Sequence, residues 1–506
     1  MATTKVHAPP GPPGAAASGH PAYSSGYKTA VLWLLVVAYT FNFIDRTIIS
    51  TIGQAIKEDL KLTDEQLGWL GGLSFALLYT ALGIPIARLA ERKSRVNIIA
   101  IAIVVWSAFT ALCGLATSYV QLLLFRVGVG VGEAGLSPPA HSLISDYFEP
   151  KKRASALSIY AFGIPLGTMF GAVAGGWIAQ NVSWQAAFML VGLPGIAIAL
   201  LIKLVIKEPP RGWSDRQLAI ESETPGALGR EASEAGAPNP PLSSADIMAA
   251  KPPSMLAVAR RLFGSWGMFH MAAGITLASF AGYGAGQYVP PYLIRQYGMD
   301  LATAGLLFGL VAGVANGAGT LLGGFLTDWA SKRSARWYAL VPAIGLLIAT
   351  PLYLWTFTRD TWQAGVAFWM VGGVLHYTYL GPTFGVVQNT MDVRMRATAV
   401  ALLFFVLNLI ALGFGPPFTG WLIDQFAQNA WLTSGGAGAL DVACPGGIGP
   451  AGASAAVDAA CKAATATGTR LGLLGTTLIY AWAGLHYILA AITLPRDMAR
   501  ARAAQG

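Results

Sequence analysis

Four charged side chains stand inside otherwise apolar stretches of this sequence: Asp45 and Arg46 in one, Arg126 and Glu133 in another. A charge at the centre of a bilayer costs about 2.5 to 3.5 kcal/mol on insertion scales, so four of them cost on the order of 10 kcal/mol unless paired or wetted. Charges kept at that cost point to function, here an acid that takes up and releases a proton and a base that answers it. Arg126, Gly130 and Glu133 fall at i, i+4 and i+7, so they share one helical face with only a glycine between the charges. Asp45 and Arg126 are expected to form a pair that protonation of Asp45 switches, with Glu133 as a second proton site or a substrate contact. The alternative is a permanent ion pair that only ties two helices together. Arg46 projects about 100° away from Asp45 around the helix and is expected to contact a neighbouring helix or to snorkel.

The second half of the chain has no such deep charge and offers polar and aromatic groups instead. Tyr283 and Gln287 share a face at i, i+4, and His376, Tyr377, Tyr379 and Thr383 fall near the middle of another apolar stretch. His376 stands out because an imidazole changes charge near neutrality, with an unperturbed pKa of about 6.5. Asn42, Asp45, Arg126, Gly130, Glu133, Tyr283, Gln287, His376, Tyr379 and Thr383 are therefore the expected lining of a substrate cavity, with ordinary packing as the alternative for each. No cofactor and no metal are expected, since there is no phosphate-cradling Gly-Lys-Ser/Thr loop and no His-Glu-x-x-His. The glycine run from Gly128 lies inside an apolar stretch with no strand before it, so it is no nucleotide fingerprint.

The elements that must hold these residues are membrane helices. Of 506 residues, 54% are hydrophobic and 11% charged, against about 25% charged in a soluble domain. Runs of about 20 apolar residues recur at 31–56, 67–87, 96–116, 119–145, 154–180, 184–206, 266–292, 302–327, 337–357, 362–390, 397–426 and 471–494. In lipid such runs close their own hydrogen bonds only as helices, and the alternating ten-residue segments of a barrel are missing. Twelve spans with the N-terminus inside put about 25 of the 33 Lys and Arg on the inner side, about 6 outside and two, Arg46 and Arg126, within spans. The formal charge of +9 is thus orientation information, and nucleic acid is not an expected partner. Pro138 with Pro139, and Pro416 with Pro417, are expected to break the fourth and eleventh spans. Cys113 lies in the third span. Cys444 and Cys461 share the last outer loop, either as a disulfide or as two free thiols.

The expected domains are an inner disordered tail over 1–27, a six-helix bundle over 28–207, an inner linker over 208–263, a second bundle over 264–495 with an outer loop at 428–470, and an inner tail over 496–506. The end of the linker, 245–263, has the character of an amphipathic helix or of plain linker. The bundles repeat each other in register. Ala87-Arg-Leu-Ala-Glu91-Arg92-Lys-Ser-Arg95 follows the second span, and Gly324-Phe-Leu-Thr-Asp328-Trp-Ala-Ser-Lys332-Arg333 follows the eighth. Arg153-Ala-Ser-Ala-Leu157 opens the fifth span as Arg396-Ala-Thr-Ala-Val400 opens the eleventh, and Gly176-Trp-Ile178 matches Gly420-Trp-Leu422. Six plus six helices around a midplane site is the plan of a rocking transporter.

The acid-and-base turns resemble the signature loop of the major facilitator superfamily, in the matching place of both halves. Within it the chain resembles the spinster family of lipid transporters, through Asn42-Phe-Ile-Asp45-Arg46, Arg126-Val-Gly-Val-Gly130-Val-Gly-Glu133-Ala and Lys207-Glu-Pro-Pro-Arg-Gly212. The first loop departs from the family pattern at Glu91, where Asp is usual, and at Ser94, where Gly is usual. The resemblance implies an all-α fold of twelve membrane helices in two six-helix bundles. It implies gating by Glu91, Arg92, Arg95, Asp328 and Lys332, and a lysophospholipid- or sphingolipid-like substrate moved with protons by alternating access. Organic anions or drugs are the near alternative, and an intramembrane enzyme or receptor the distant one. The expected setting is the lipid bilayer of a bacterial inner membrane, with both termini cytoplasmic and the protein acting as a monomer.

Overall fold

Each apolar run becomes a helix, and its ends are written in the sequence. Ser24, Ser94, Ser118, Ser183, Ser265 and Asp300 each accept a backbone N–H at the start of a helix, the standard use of short polar side chains at an N-cap. Thr63 and Gln66 form a reciprocal capping box. A computed structural model describes residues 23–211, 214, 254–391 and 395–503. Its N-terminal bundle holds α1 (Ser25–Leu60), α2 (Asp64–Gly71) continued by α3 (Leu73–Arg92), α4 (Arg95–Cys113), α5 (Tyr119–Glu133) continued by α6 (Ser137–Tyr147), α7 (Pro150–Ala161) continued by α8 (Gly163–Asn181), and α9 (Trp184–Val205). After the short α10 (Met255–Phe263) come α11 (Trp266–Tyr297), α12 (Leu301–Leu310) with α13 (Asn316–Ser331), α14 (Trp337–Thr356), and α15 (Trp362–His376) with α16 (Leu380–Thr390). Then follow α17 (Arg396–Val406) with α18 (Gly413–Thr433), the small α19 (Leu440–Ala443), and α20 (Ala455–Ala503). Continued helices make one crossing each, so among the described residues each bundle has six.

Three boundaries differ from the sequence reading. The outer loop expected at 428–470 shrinks to 434–454, because α18 runs to Thr433 and α20 begins at Ala455. The stretch from Ala455 to Arg470 is rich in alanine and helical by propensity, although it is not apolar enough to count as a span. The inner tail expected over 496–506 is helical to Ala503 for the same reason. The amphipathic segment expected over 245–263 is helical from Met255, and most of the linker, like residues 1–22 of the expected tail, lies outside the described residues. Cys444 and Cys461 form a disulfide between the outer loop and α20.

The prolines act differently in the two halves. The fourth span is interrupted at 134–136, and Pro138 and Pro139 stand in the first turn of α6, where the helix resumes and a missing N–H is harmless. Pro416 and Pro417 lie inside α18, directly after a π-turn over Leu407–Leu412. A second π-turn, Val311–Ala315, divides α12 from α13. Gly72, at φ −103° and ψ −109°, divides α2 from α3. These spans line the seam between the bundles, and such irregularities mark places where a helix bends.

Glycines set how closely the helices pack. A Cβ on Gly132 would lie 2.5 Å from the Trp106 amide nitrogen in α4, and one on Gly130 2.5 Å from the Phe75 carbonyl oxygen in α3. Gly130 is therefore a packing residue at the α3–α5 contact and does not face a cavity. Gly132→Val is expected to cost about 1 to 3 kcal/mol through overpacking, read as a lower melting temperature in detergent. An unchanged melting temperature would mean that α4 and α5 separate freely.

The same measure follows the seam from outside to inside. On the outer side, a Cβ on Gly176 would lie 2.5 Å from the Leu301 carbonyl oxygen, and one on Gly68 2.5 Å from the Pro416 carbonyl oxygen. Along α12 towards the inner face, a Cβ on Gly309 would meet Met169 at 3.0 Å, one on Gly313 at 3.4 Å, and one on Gly317 would meet nothing within 4 Å. The bundles diverge towards the end that carries the start of α1 and the end of α20, here called inner, so the molecule is closed at its outer end and open at its inner one.

Candidate functional site

Mid-depth in the N-terminal bundle, the four deep charges form two pairs. Arg126 Nη1 lies 3.5 Å from Asp45 Oδ1, and the Thr110 hydroxyl donates to Asp45 Oδ2. Arg126 Nε also donates to the Leu70 carbonyl at 3.4 Å. Both members of this pair are buried, and the expected meeting of Asp45 with Arg126 is present in the structure. Glu133 does not join them. Its Oε2 accepts from Arg46 Nε at 2.7 Å, while its Oε1 has no partner among the described residues.

Arg46 is the residue whose part the sequence reading understated. Its guanidinium carbon sits 5.0 Å from the Phe43 ring centroid, 4.8 Å from Phe75 and 4.5 Å from Tyr79. Three aromatic faces and a carboxylate hold it as a cation at mid-membrane. Its side chain remains 19% exposed whereas that of Glu133 is fully buried, so the base, not the acid, meets whatever enters. Asn42, one turn earlier on α1, is buried with neither side-chain polar atom bonded among the described residues.

The residues expected to line the opposite wall divide into two sets. Tyr283 is 44% exposed and lies within electrostatic range of Arg46 and Tyr79 from one bundle and of Tyr377 from the other. It is therefore on the seam. His376, Tyr379 and Thr383 are buried within the C-terminal bundle. Tyr379 bonds Ser279 at 3.0 Å, Thr383 bonds Tyr487 at 2.7 Å and the Tyr379 carbonyl at 2.8 Å, and His376 Nδ1 meets the Tyr353 hydroxyl at 3.2 Å. The His376 ring packs among Tyr377, Tyr379 and Tyr480, at 4.7, 5.5 and 4.4 Å between centroids. Gln287 is buried at the outer seam, where a Cβ on Gly71 would strike its amide. In this state these four hold helices together, and the half-buried Tyr377 joins Tyr283 at the wall.

At the outer end a charged cluster absent from the sequence expectations joins the bundles. Asp64, fully buried, takes Lys57 Nζ at 2.5 Å and Arg295 Nη2 and Nη1 at 2.7 and 3.0 Å. Arg295 also donates to Gln54 Oε1 and Thr469 Oγ1, each at 2.7 Å. Asp424, from the other bundle, accepts the backbone N–H groups of Asp64 at 3.0 Å and Glu65 at 2.8 Å, and the Tyr288 hydroxyl donates to the Asp64 carbonyl. Asp424 thus completes the first turn of α2, where an anion is favoured by the helix dipole. Lys57, Asp64 and Arg295 stand at the ends of spans, where charge counting assigns them to water, and no spacing links the two halves. The capping box at Thr63 is the only sequence cue, since it fixes Asp64 in a first turn.

Among the described residues, no side chain expected to gate engages the opposite bundle. Arg95 is buried and ties α4 to α6 and to the start of the linker, through Asp146, Ser142 Oγ at 2.8 Å, Glu208 Oε1 at 2.6 Å and the Pro209 carbonyl at 2.9 Å. Arg92, Asp328 and Lys332 are exposed at the inner turns, and the Glu91 side chain lies outside the described residues. Among the described residues, the polar bonds between bundles lie at their outer ends.

Comparison with known proteins agrees with this geometry. The sequence pattern of the Major Facilitator Superfamily matches residues 35–409. An MFS-type efflux pump of Mycolicibacterium smegmatis is 29% identical over 400 residues, 79% of this chain and 85% of that one. A hexuronate transporter of Bacillus subtilis is 26% identical over 422 residues, covering 81% and 92%. A crystal structure of a bacterial homologue of the human lysosomal transporter spinster, inward-facing and unoccupied, superposes with a TM-score of 0.81 at 32% identity over 94% of this chain and 99% of that one.

Proposed function

The chain belongs to the major facilitator superfamily, and from that premise we propose that it is a proton-coupled secondary transporter of an amphipathic anion, lysophospholipid- or sphingolipid-like, working by alternating access. The carrying observation is Arg46, a mid-membrane cation whose side chain is 19% exposed while the carboxylate that holds it is fully buried. An anionic headgroup entering from the seam competes with Glu133 for that guanidinium. Displaced, Glu133 would be an isolated buried carboxylate, which neutralises rather than remain charged. One proton, taken up by the core that Asp45 and Glu133 share, then accompanies each anion, and the charge of the site is conserved. The rings of Phe43, Tyr79, Tyr283 and Tyr377 offer an apolar wall for the tail. The same reading puts the protein in a bacterial cell membrane, as a monomer with both termini inside.

Proteoliposomes under an imposed pH gradient test this. The protein is expected to accumulate a fluorescent lysophospholipid, and Arg46→Gln to weaken its apparent affinity by roughly ten- to a hundredfold, the size of a lost charge-assisted hydrogen bond. Arg46→Lys, which keeps the charge, should lose less. The second reading, an organic acid carried by the same guanidinium, draws on the hexuronate transporter among the relatives. Gradient-driven uptake of a hexuronate without uptake of the lysophospholipid would establish it over the first.

A further inference from the structure

Where the linker enters the second bundle, the nine-residue helix α10 presents two different faces. Val258 and Leu262, one turn apart, are fully buried where the helix meets the inner ends of α11 and α17. Around the rest of it, Met255 and Leu256 are 44% and 59% exposed, Arg260 and Arg261 are exposed as well, and the helix contains no acid. Leu256 and Arg260 are also one turn apart, so apolar and basic groups share an outward face. Trp266 and Phe269, just beyond, are exposed aromatic residues of the kind that gather at headgroup level. The last turns of α20 reach the same corner, where Asp497 Oδ2 accepts the Gly267 N–H at 3.1 Å, and there Arg496 and Arg500 are exposed four residues apart.

A helix fixed on one side by two aliphatic side chains, with leucine, methionine and arginines on the other, matches the surface of a leaflet. The apolar groups reach the acyl boundary, and the arginine stems carry their guanidiniums to the phosphates. We propose that α10 is a binding site for anionic phospholipid headgroups of the inner leaflet, with Arg260 and Arg261 as the phosphate-binding residues. The guanidinium fork suits a phosphate diester better than a point charge would. Because α10 packs on α17, which leads into the π-turn at Leu407–Leu412, a lipid held there anchors the inner end of a seam-lining span. This holds whichever substrate the central site carries.

The test is native mass spectrometry of the full-length protein released from nanodiscs of phosphatidylcholine containing phosphatidylglycerol. The wild type is expected to retain phosphatidylglycerol selectively. Arg260→Gln with Arg261→Gln should weaken that retention on the order of thirtyfold, from two surface charges near an anionic leaflet. Arg260→Lys with Arg261→Lys should keep most of the loss from appearing. Arg333→Gln with Arg336→Gln, an equally exposed inner-face pair, should retain the lipid within about twofold, since one family of contacts is untouched. Equal loss from both Gln pairs would overturn the proposal in favour of ordinary inner-face charge. Unchanged retention in the Arg260/Arg261 pair would overturn it outright, and a dimer abolished only by that pair would assign the face to a second copy of the chain.

Discussion

Asp64→Ala is expected to open the outer end of the seam and to abolish net transport. In the closed arrangement Asp64 is the shared counter-charge of Lys57 and Arg295, all three largely shielded from water. Removing it leaves two buried cations side by side, and breaking a buried pair in this way costs about 3 to 5 kcal/mol. When the outer end opens, both cations reach water, so the cost falls on the closed state alone. The ratio of closed to open forms should therefore drop by roughly two to four orders of magnitude, at about 1.4 kcal/mol per tenfold. Spin labels at residues 61 and 360, which are exposed on outer turns of the two bundles, would report longer distances as the main population. Replacing the whole cluster, with Lys57→Met, Asp64→Leu and Arg295→Met together, should restore closure, because apolar substitutes for a complete buried ion cluster are often neutral. A distance distribution unchanged in Asp64→Ala would show that the glycine contacts close the outer seam without the charges.

The sequence made some of this visible and concealed the rest for a physical reason. Apolar runs are long, and a helix in lipid has no alternative, so the twelve crossings and their repeat follow from pattern. Residues such as Ala455 to Arg470 escape because helix propensity and hydropathy are different quantities, and a search for spans sees only the second. Within one helix, spacing is geometry, so the shared face of Arg126, Gly130 and Glu133 could be read directly. What that face touches is set by packing. Glu133 turns to Arg46 because α1 presents Arg46 on the side away from Asp45, where Phe43, Phe75 and Tyr79 already box the guanidinium. Pairings between halves, such as Asp64 with Arg295, separated by 231 residues, leave no periodic trace at all. The polar groups of the C-terminal bundle looked like a cavity because buried polarity in a membrane is costly. Thr383 and Tyr379 meet that cost by bonding Tyr487 and Ser279 instead.

Asp45→Asn is expected to uncouple transport from the proton gradient. The core of the N-terminal bundle holds two acids and two bases, so it is neutral only while Asp45 and Glu133 are both ionised. One proton added to Asp45 leaves Arg126 held only by the Leu70 carbonyl and the Phe75 ring, 5.6 Å from its guanidinium carbon. That is a strong reason for α5 to shift against α1, and it makes protonation a change of helix contact. Asparagine keeps the size of the side chain and can still bond Thr110, but it holds the site permanently in the neutralised form. Gradient-driven accumulation in proteoliposomes should fall by up to about a hundredfold, the range of a coupling free energy between two sites, while exchange without a gradient persists. Asp45→Leu with Arg126→Met separates mechanism from architecture. A purely structural pair would be replaced at little cost, and coupled transport would survive in the double variant. A switching pair would leave a stable protein that no longer responds to pH. Gradient dependence retained in Asp45→Asn would remove the residue from proton transfer and leave Glu133, beside Arg46, as the acid that carries the coupling.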